Sequence, residues 1–262
     1  MSYFDDPDIF KAAVIVVGNE ILSGRTKDAN ISWIAEKMNL CGVVLTEVRI
    51  VPDIEACIVE AVNALRPQVD YVFTTGGIGP THDDITAASV TKALGLELEY
   101  NARALAALLD HYGEAELTDA RKKMAQMPVG AVLIPNPVSG APGFAIENVY
   151  VMAGVPRIMQ AMLDHIIREH LEEGKKVLSN TIACDLPESE VAASLDALQQ
   201  RYTEVDIGSY PHFRSGKLGL SLVLRGVDDA ALKVATEAVV DMVRECGGTP
   251  QALGLEVLID NF

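Results

Sequence analysis

The feature that most constrains the fold of this chain is a glycine-rich stretch between a strand-like and a helix-like segment. Residues 74–86 read TTGGIGPTHDDIT, with the strand-like residues 69–73 before them and a helical pattern over residues 87–94 after them. Three glycines at such a junction let the backbone turn sharply and present bare N–H groups, which favours an anionic group at the start of a helix. The stretch therefore predicts a strand–turn–helix unit with a phosphate-binding turn.

Acidic and hydroxyl side chains accompany these glycines. Thr81, Asp83, Asp84 and Thr86 offer oxygen ligands for a hard cation such as Mg²⁺, so we interpret the turn as a site for a phosphorylated cofactor or nucleotide. The alternative is a plain strand-to-helix turn, in which Asp84 or Thr86 only caps the next helix. The spacing fits neither the G-x-G-x-x-G motif nor the G-x-x-x-x-G-K-[ST] loop, which excludes Rossmann and P-loop assignments.

The remaining sequence before residue 170 alternates between the two kinds of segment. Strands are predicted at 12–17, 43–51, 69–74 and 149–152, and helices at 31–38, 53–65, 87–94, 103–112 and after Pro156. Such alternation predicts an α/β fold, a three-layer sandwich with a mostly parallel sheet, whose ligands bind beyond the carboxyl ends of the strands. Residues 127–143 carry four prolines and three glycines and are predicted to form a long loop.

A charged, glycine-containing segment at residues 172–176 predicts a boundary between two domains, residues 1–173 and residues 174–262. After it the pattern reads strand (177–184), helix (188–201), two strands (205–209 and 217–225) and helix (229–246). This order predicts a small C-terminal α+β domain. Because it lacks clustered reactive residues apart from residues 208–212, we expect a structural or interfacial role for it.

Composition restricts the partners and the compartment. A formal charge of −16 argues against nucleic acid, and it means that an anionic small molecule needs compensation from a cation, backbone amides or basic side chains. No apolar run is long enough to span a membrane, and residues 1–11 lack the pattern of a signal peptide, so we expect a cytoplasmic protein with no membrane partner. The four cysteines lack metal-site spacing and are expected to be free thiols.

Six motifs in fixed order resemble one family. They are Gly18-Asn19-Glu20-Ile21-Leu22-Ser23-Gly24, Asp28-x-Asn30, Val51-Pro52-Asp53, the turn from Gly76 to Thr86, Asn136-Pro137-x-x-Gly140-x-Pro142-Gly143-Phe144, and Gly154-Val155-Pro156. Together they make residues 11–170 similar to the N-terminal part of the CinA (competence/damage-inducible protein) family, a molybdopterin-binding-like domain of the MoaB/Mog type. Residues 179–182 and 207–211 resemble the segment that follows this domain in CinA relatives and in eukaryotic FAD synthases.

The resemblance implies a MoaB/Mog-type fold and two alternative functions. One is metal-dependent hydrolysis of ADP-ribose, FAD or a related dinucleotide, with Mg²⁺, Mn²⁺ or Co²⁺ as the divalent metal. The other is binding of molybdopterin, a pterin phosphate, without hydrolysis. Either way the partner is a small phosphorylated ligand, and a homo-oligomer is expected because relatives of this fold associate. Full-length CinA proteins also carry a nicotinamide mononucleotide deamidase domain, for which we expect no counterpart in 262 residues.

The family's functional residues transfer to this chain by motif match. The implied catalytic residues are Asp84, Asp53 and Asp83, and the implied metal ligands are Asp84, Asp83, Glu20 and Asp28. The implied substrate- and phosphate-binding residues are Gly76, Gly77, Gly79, Thr81, Thr86, Ser23, Gly24, Gly154 and Pro156. Asp28, Asn30 and Asp53 have an alternative role as helix caps. Arg25, Lys27 and residues 121–123 either offset substrate charge or form a solvated face.

Overall fold

The computed structural model describes residue 6, residues 8–214 and residues 217–253 of the chain. Residues 10–174 form one compact unit, and residues 175–253 with residues 6, 8 and 9 form the other. The break follows Gly174, beside the predicted boundary, but the grouping of the amino-terminal residues with the second unit was not predicted. Lys175 explains it, because its ammonium pairs with Asp6 at 2.8 Å and its backbone N–H donates to the carbonyl of Asp8 at 3.1 Å. The predicted second domain ends at residue 262, and residues 254–262 lie outside the described residues.

A six-stranded sheet forms the centre of the first unit, with strand order β2-β1-β3-β8-β7-β6. Its strands are β1 (Phe10–Val17), β2 (Val43–Val51), β3 (Tyr71–Thr75), β6 (Val132–Ile134), β7 (Gly143–Ile146) and β8 (Val149–Met152). Strands β2, β1, β3 and β8 run parallel, whereas β7 pairs antiparallel with β8 and β6 pairs antiparallel with β7. The predicted mostly parallel sheet is confirmed.

Helices cover both faces of this sheet. They are α1 (Asn19–Leu22), α2 (Asn30–Leu40), α3 (Glu55–Leu65), α4 (Thr86–Ala93), α5 (Ala102–Tyr112), α6 (Asp119–Lys123) and α7 (Pro156–Glu169). Alternate residues of β1 point to opposite faces, as in any strand, and the strand is buried on both. Val14 packs in a core with residues of α2 and α7, and Ile15 packs in a second core with residues of α3 and α4. The unit is therefore the predicted three-layer sandwich.

The proline-rich segment 127–143 is more regular than the predicted long loop. It contains most of β5 (Gln126–Pro128), which pairs with β4 (Leu98–Tyr100) in a separate two-stranded sheet, and all of β6. Both strands have only three residues, and β6 lies at the edge of the main sheet, where prolines next to a strand are tolerated. The prediction was wrong here because short edge strands leave little periodicity in the sequence.

The second unit is a four-stranded antiparallel sheet with two helices. Its elements are β9 (Leu178–Cys184), α8 (Glu188–Arg201), β10 (Asp206–Arg214), β11 (Lys217–Gly226), α9 (Asp229–Glu245) and β12 (Gln251–Leu253), with strand order β10-β11-β9-β12. Buried residues of α9, such as Leu232 and Val239, share one core with Ile182 of β9 and Leu222 of β11. The predicted small α+β domain is confirmed, with β12 as an additional strand.

Two findings concern the chain as a whole. Within the described ranges, no helix combines the length and the apolar character needed to cross a membrane. None of the four cysteines is part of a disulfide, and Cys184 is the one whose side chain is buried most completely.

Candidate functional site

A cavity of about 720 Å³ lies where the parallel strands of the first unit end. The register aligns Val17 with Val51, Val16 with Thr75, and Thr75 with Met152, so the loops after β1, β2, β3 and β8 leave the sheet at the same edge. Each of these loops contributes to the lining. The predicted site residues among the lining are Glu20, Asp53, Gly76, Gly77, Gly79, Thr81, Asp83, Asp84, Gly154 and Pro156.

The turn after β3 depends on two glycines in the left-handed region of backbone space. Gly76 has φ +98° and Gly77 has φ +68°. A Cβ on Gly76 would lie 2.2 Å from the carbonyl oxygen of Val17, and one on Gly77 would lie 2.1 Å from Oγ1 of Thr86. Both positions thus require glycine for conformation and for space.

Thr86 stabilises this turn through two hydrogen bonds. Its buried hydroxyl donates to the carbonyl of Gly76 at 2.9 Å, and its backbone N–H donates to the carbonyl of Gly77 at 2.9 Å. Thr86 is not among the cavity-lining residues, so the structure places it as a support for the turn rather than in contact with the cavity. The alternative that Asp84 or Thr86 caps α4 does not hold, since Ile85 precedes that helix and no side chain caps it.

Asp83 and Asp84 follow the glycines at the cavity wall. Oδ2 of Asp84 accepts hydrogen bonds from the backbone N–H of Thr81 at 2.8 Å and from the Thr81 hydroxyl. The pKa of the exposed Asp83 is lowered, and the main cause is hydrogen bonding by the Thr81 side chain. The backbone amide of Asp83 and the nearby charges of His82 and Lys123 lower it further. Asp83 therefore remains ionised to a lower pH than a free aspartate.

Two further carboxylates reach the cavity from the loops after β1 and β2. Oδ2 of Asp53 accepts from the backbone N–H of Asn19 at 2.9 Å, which ties these two loops together. Asp53 is not a helix cap, because α3 begins at Glu55 and Ile54 occupies the capping position. The carboxylate of Glu20, from the short helix α1, folds back to within 2.6 Å of where a Cβ on Gly18 would be.

The loop after β8 completes the edge and is anchored by α2. The side-chain amide of Asn30 donates to the carbonyl of Gly154 at 2.8 Å, and a Cβ on Gly154 would approach Cα of Gly76 to 3.1 Å. Oδ1 of Asp28 accepts from the backbone N–H groups of Asn30 and Ile31 at 3.1 and 2.7 Å, at the start of α2. Asp28 thus binds the first backbone N–H groups of α2, close to the capping alternative weighed from sequence, whereas the side chain of Asn30 binds the loop after β8 instead of capping the helix.

Besides Thr86, three predicted site residues do not line the cavity. They are Asp28, Ser23 and Gly24. The Ser23 hydroxyl donates to the carbonyl of Glu20 at 3.3 Å, within the turn that ends α1. Their predicted roles in binding metal or phosphate stay predictions.

The carboxylates fit a metal that completes its coordination with ligand oxygens. Among the described residues, no three His, Cys, Asp or Glu side chains come together as a ready-made metal site. Magnesium, however, is usually held by one or two carboxylates together with substrate phosphates and water. The adjacent Asp83 and Asp84, at the end of a phosphate-type turn, match that smaller donor set.

Other residues of the cavity lining are not among the site residues predicted from the sequence. Tyr112, Asn136 and Ser139 line the cavity together with Arg121, which the sequence had offered only as one of several basic residues that could offset charge. The guanidinium carbon of Arg121 lies 4.3 Å from the centroid of the Tyr112 ring. The Asn136-Pro137-x-x-Gly140 motif was a usable signal for this part of the lining, but nothing in it pointed to Tyr112.

Fold and site together define a class: a parallel α/β protein whose ligand cavity joins a glycine-rich turn to a group of carboxylates. Residues 13–173 match the model of the family described as "probable molybdopterin binding domain", and residues 176–247 match that of the "FAD synthase, middle domain". The chain belongs to the molybdopterin-binding-domain family.

Relatives extend the similarity to most of the chain. A protein of Pyrobaculum calidifontis is 36% identical over 213 residues, which cover 76% of this chain and 80% of that one. A protein of Sulfurisphaera tokodaii is 32% identical over 256 residues, covering 92% of this chain and 96% of the other. The crystal structure of the protein CinA from Thermoplasma acidophilum has a TM-score of 0.59 at 36% identity and covers 63% of this chain and 99% of that one. The predicted resemblance to CinA and to FAD synthase is confirmed.

Proposed function

We propose that this protein is a metal-dependent nucleotide pyrophosphatase that acts on ADP-ribose, FAD or a related dinucleotide. The observation that carries the proposal is that the glycine-rich turn and four carboxylates line the same cavity. Backbone N–H groups of such a turn favour phosphate oxygens, whereas carboxylates repel them. A diphosphate and these carboxylates are compatible when a divalent cation lies between them.

The position of each lining residue suggests a separate role in binding the metal, the phosphate or water. Asp83 and Asp84 would hold the cation, because they follow the glycines directly and the pKa of Asp83 is lowered by hydrogen bonding. The turn at Gly77 and Gly79 would hold a phosphate through its amides, whereas the N–H of Gly76 already donates to the carbonyl of Met152. A bound divalent cation supplies charge neutralisation and a water of lowered pKa. Asp53 is half-buried and its Oδ2 is fixed by the amide of Asn19, so it is suited to orient a water or a ribose hydroxyl.

The second candidate is a molybdopterin-binding protein without hydrolytic activity. The match of residues 13–173 to a family described by molybdopterin binding favours it. A pterin phosphate could rest on the amides of the glycine turn alone. Binding of a pterin phosphate would not use the four carboxylates that line the cavity. We therefore place this alternative second.

Replacement of Asp84 by Asn tests the enzyme proposal. The change keeps the shape of the side chain and an acceptor for the amide of Thr81 but removes the charge. We expect AMP release from ADP-ribose to fall on the order of 100-fold or more, as for other preorganised charged contacts in active sites.

Asp119→Asn is the matched control. It removes the same charge from a side chain that is 98% exposed and is paired with Lys122 at the surface. Turnover by Asp84→Asn that equals turnover by Asp119→Asn would exclude Asp84 from an essential role.

A further inference from the structure

We infer that Arg121, stacked on Tyr112, is a second phosphate-binding element of the cavity and that the ligand class is therefore a diphosphate rather than a monophosphate. The inference rests on the proposed function, because it concerns the same cavity. It assigns a recognition role to two residues that the motifs do not include.

In a first step, the charges of the residues that line the cavity single out Arg121. Four carboxylates face the cavity, and Arg121 is the cationic side chain among the described residues that line it. Its guanidinium provides donors in a flat fork that matches two oxygens of a phosphate. The net charge of −16 makes the chain as a whole repel an anionic ligand, so this guanidinium is the lining side chain that can attract one.

The second step is that Arg121 is held in place. Its guanidinium stacks over the ring of Tyr112 at 4.3 Å, and Nη1 pairs with the Glu116 carboxylate at 3.0 Å and with the Glu116 carbonyl. Glu116 is 70% exposed, so the pair is worth little as an ion pair and does not cancel the charge of Arg121. In the part of the chain that the structure describes, Nε and Nη2 have no hydrogen-bond partner, which leaves donors for a ligand.

The third step is that Tyr112 is fixed by the proline-rich wall. Its hydroxyl donates to the carbonyl of Ser139 at 3.3 Å. Asn136 shapes that segment, since its amide donates to the carbonyl of Ala141 at 2.8 Å and its Oδ1 accepts from the backbone N–H of Ser139 at 3.1 Å. The Asn136-Pro137-x-x-Gly140 motif therefore fixes the position of the Tyr112 ring, on which the guanidinium of Arg121 stacks.

The fourth step links Arg121 to the glycine turn. Arg121 belongs to α6, and the ammonium of Lys123 in the same helix donates to the carbonyl of Thr81. Helix α6 is thus tied to the loop that carries Asp83 and Asp84. One phosphate on the turn amides and a second on Arg121 would use both elements together.

Binding of methylenediphosphonate, a non-hydrolysable pyrophosphate analogue, and of AMP to the full-length protein tests this inference in the presence of Mg²⁺. We expect Arg121→Gln to weaken diphosphonate binding by about 10- to 100-fold, the range for losing a charge-assisted hydrogen bond, and to affect AMP much less. Arg121→Lys should restore part of the affinity because it keeps the charge but not the fork. Lys122→Gln, with the same charge change on the same helix and its cation paired with Asp119, is the control and should bind normally.

Tyr112 is a positioning residue, so its variants need a different readout. Tyr112→Leu should weaken diphosphonate binding and raise KM for ADP-ribose with little change in kcat. Tyr112→Phe keeps the ring but loses the hydroxyl bond to Ser139, so it should rescue both in large part. Equal diphosphonate affinity of Arg121→Gln and Lys122→Gln, or no diphosphonate binding by the wild-type protein, would overturn the inference. Diphosphonate binding that depends on Arg121 without AMP release from ADP-ribose would instead overturn the enzyme proposal and leave the inference standing.

Discussion

At the scale of single residues, the site depends on backbone shape as much as on reactive side chains. Gly76 and Gly77 adopt left-handed conformations, and the buried Thr86 fills the space where a Cβ on Gly77 would be. Asp84 binds the backbone of Thr81 inside the same turn. The turn is therefore a rigid unit in which conformation, support and acidic groups are specified within eleven residues, 76–86.

Gly77→Ala tests this rigidity against a matched glycine. Gly95 has nearly the same conformation, φ +67° against +68°, but a Cβ there would meet no atom within 4 Å. Gly95→Ala should cost about 1–2 kcal/mol of unfolding free energy from backbone strain alone. Gly77→Ala should cost more, because its methyl group collides with Thr86 Oγ1, and it should also impair ADP-ribose binding.

Urea denaturation and equilibrium binding measure the two effects separately. If the two alanine variants lose the same stability and both bind ADP-ribose normally, the turn tolerates distortion and is not the rigid element described above.

At the scale of elements, loops that are distant in sequence form one site because parallel strands end at one edge. Cross-links between the loops fix the arrangement: Asn19 to Asp53, Asn30 to Gly154, and the N–H of Gly76 to the carbonyl of Met152 at 3.1 Å. Helix α2 takes part without lining the cavity, because Asn30 is buried at its first position and reaches the loop after β8.

Asn30→Ala should weaken this cross-link. The carbonyl of Gly154 loses its donor, so we expect a loss of about 1–3 kcal/mol in unfolding free energy and weaker ADP-ribose binding. Asn63→Ala, an exposed position in the last turn of α3, is the control and should change stability by about 0.5 kcal/mol or less. Equal stability of both variants in urea would show that the hydrogen bond from Asn30 contributes nothing to the loop.

The elements also show what the sequence could and could not predict. Long apolar strands such as β1 and the glycine turn were predictable, because a strand buried on both faces and a left-handed turn each need particular residue types. The three-residue strands β5 and β6 were not, since their pairing depends on neighbours far along the chain. For the same reason the stacking of Arg121 on Tyr112, and the bond from Asp53 to Asn19, could be found only in the folded structure.

At the scale of the whole molecule, the described chain has two units with separate cores. The residues that line the cavity lie between Val17 and Ile158, all within the unit of residues 10–174. The buried residues of the second unit form a core of their own. Among the described residues, the cavity is therefore lined by the first unit alone.

A fragment of residues 10–174 should accordingly keep the ability to bind methylenediphosphonate with the affinity of the full chain. Circular dichroism establishes whether the fragment is folded, and calorimetric titration gives the affinity. A folded fragment that does not bind would mean that the second unit contributes to the site, contrary to the interfacial or structural role expected for it.

The net charge of −16 acts on the molecule as a whole and leads to the central claim. A diphosphate approaching an acidic protein and a cavity with four carboxylates meets repulsion that the glycine amides and Arg121 offset only in part. Binding and hydrolysis should therefore share one requirement for a divalent cation.

The most direct test is AMP release from ADP-ribose and FAD by the purified protein, measured with Mg²⁺, Mn²⁺ or Co²⁺ and again with an excess of chelator. We expect AMP release with at least one of these metals and none in the presence of the chelator. AMP release that continues unchanged with the chelator would contradict the metal requirement. Tight, metal-independent binding of molybdopterin, with no AMP released from either dinucleotide, would contradict the enzyme itself and favour the pterin-binding alternative.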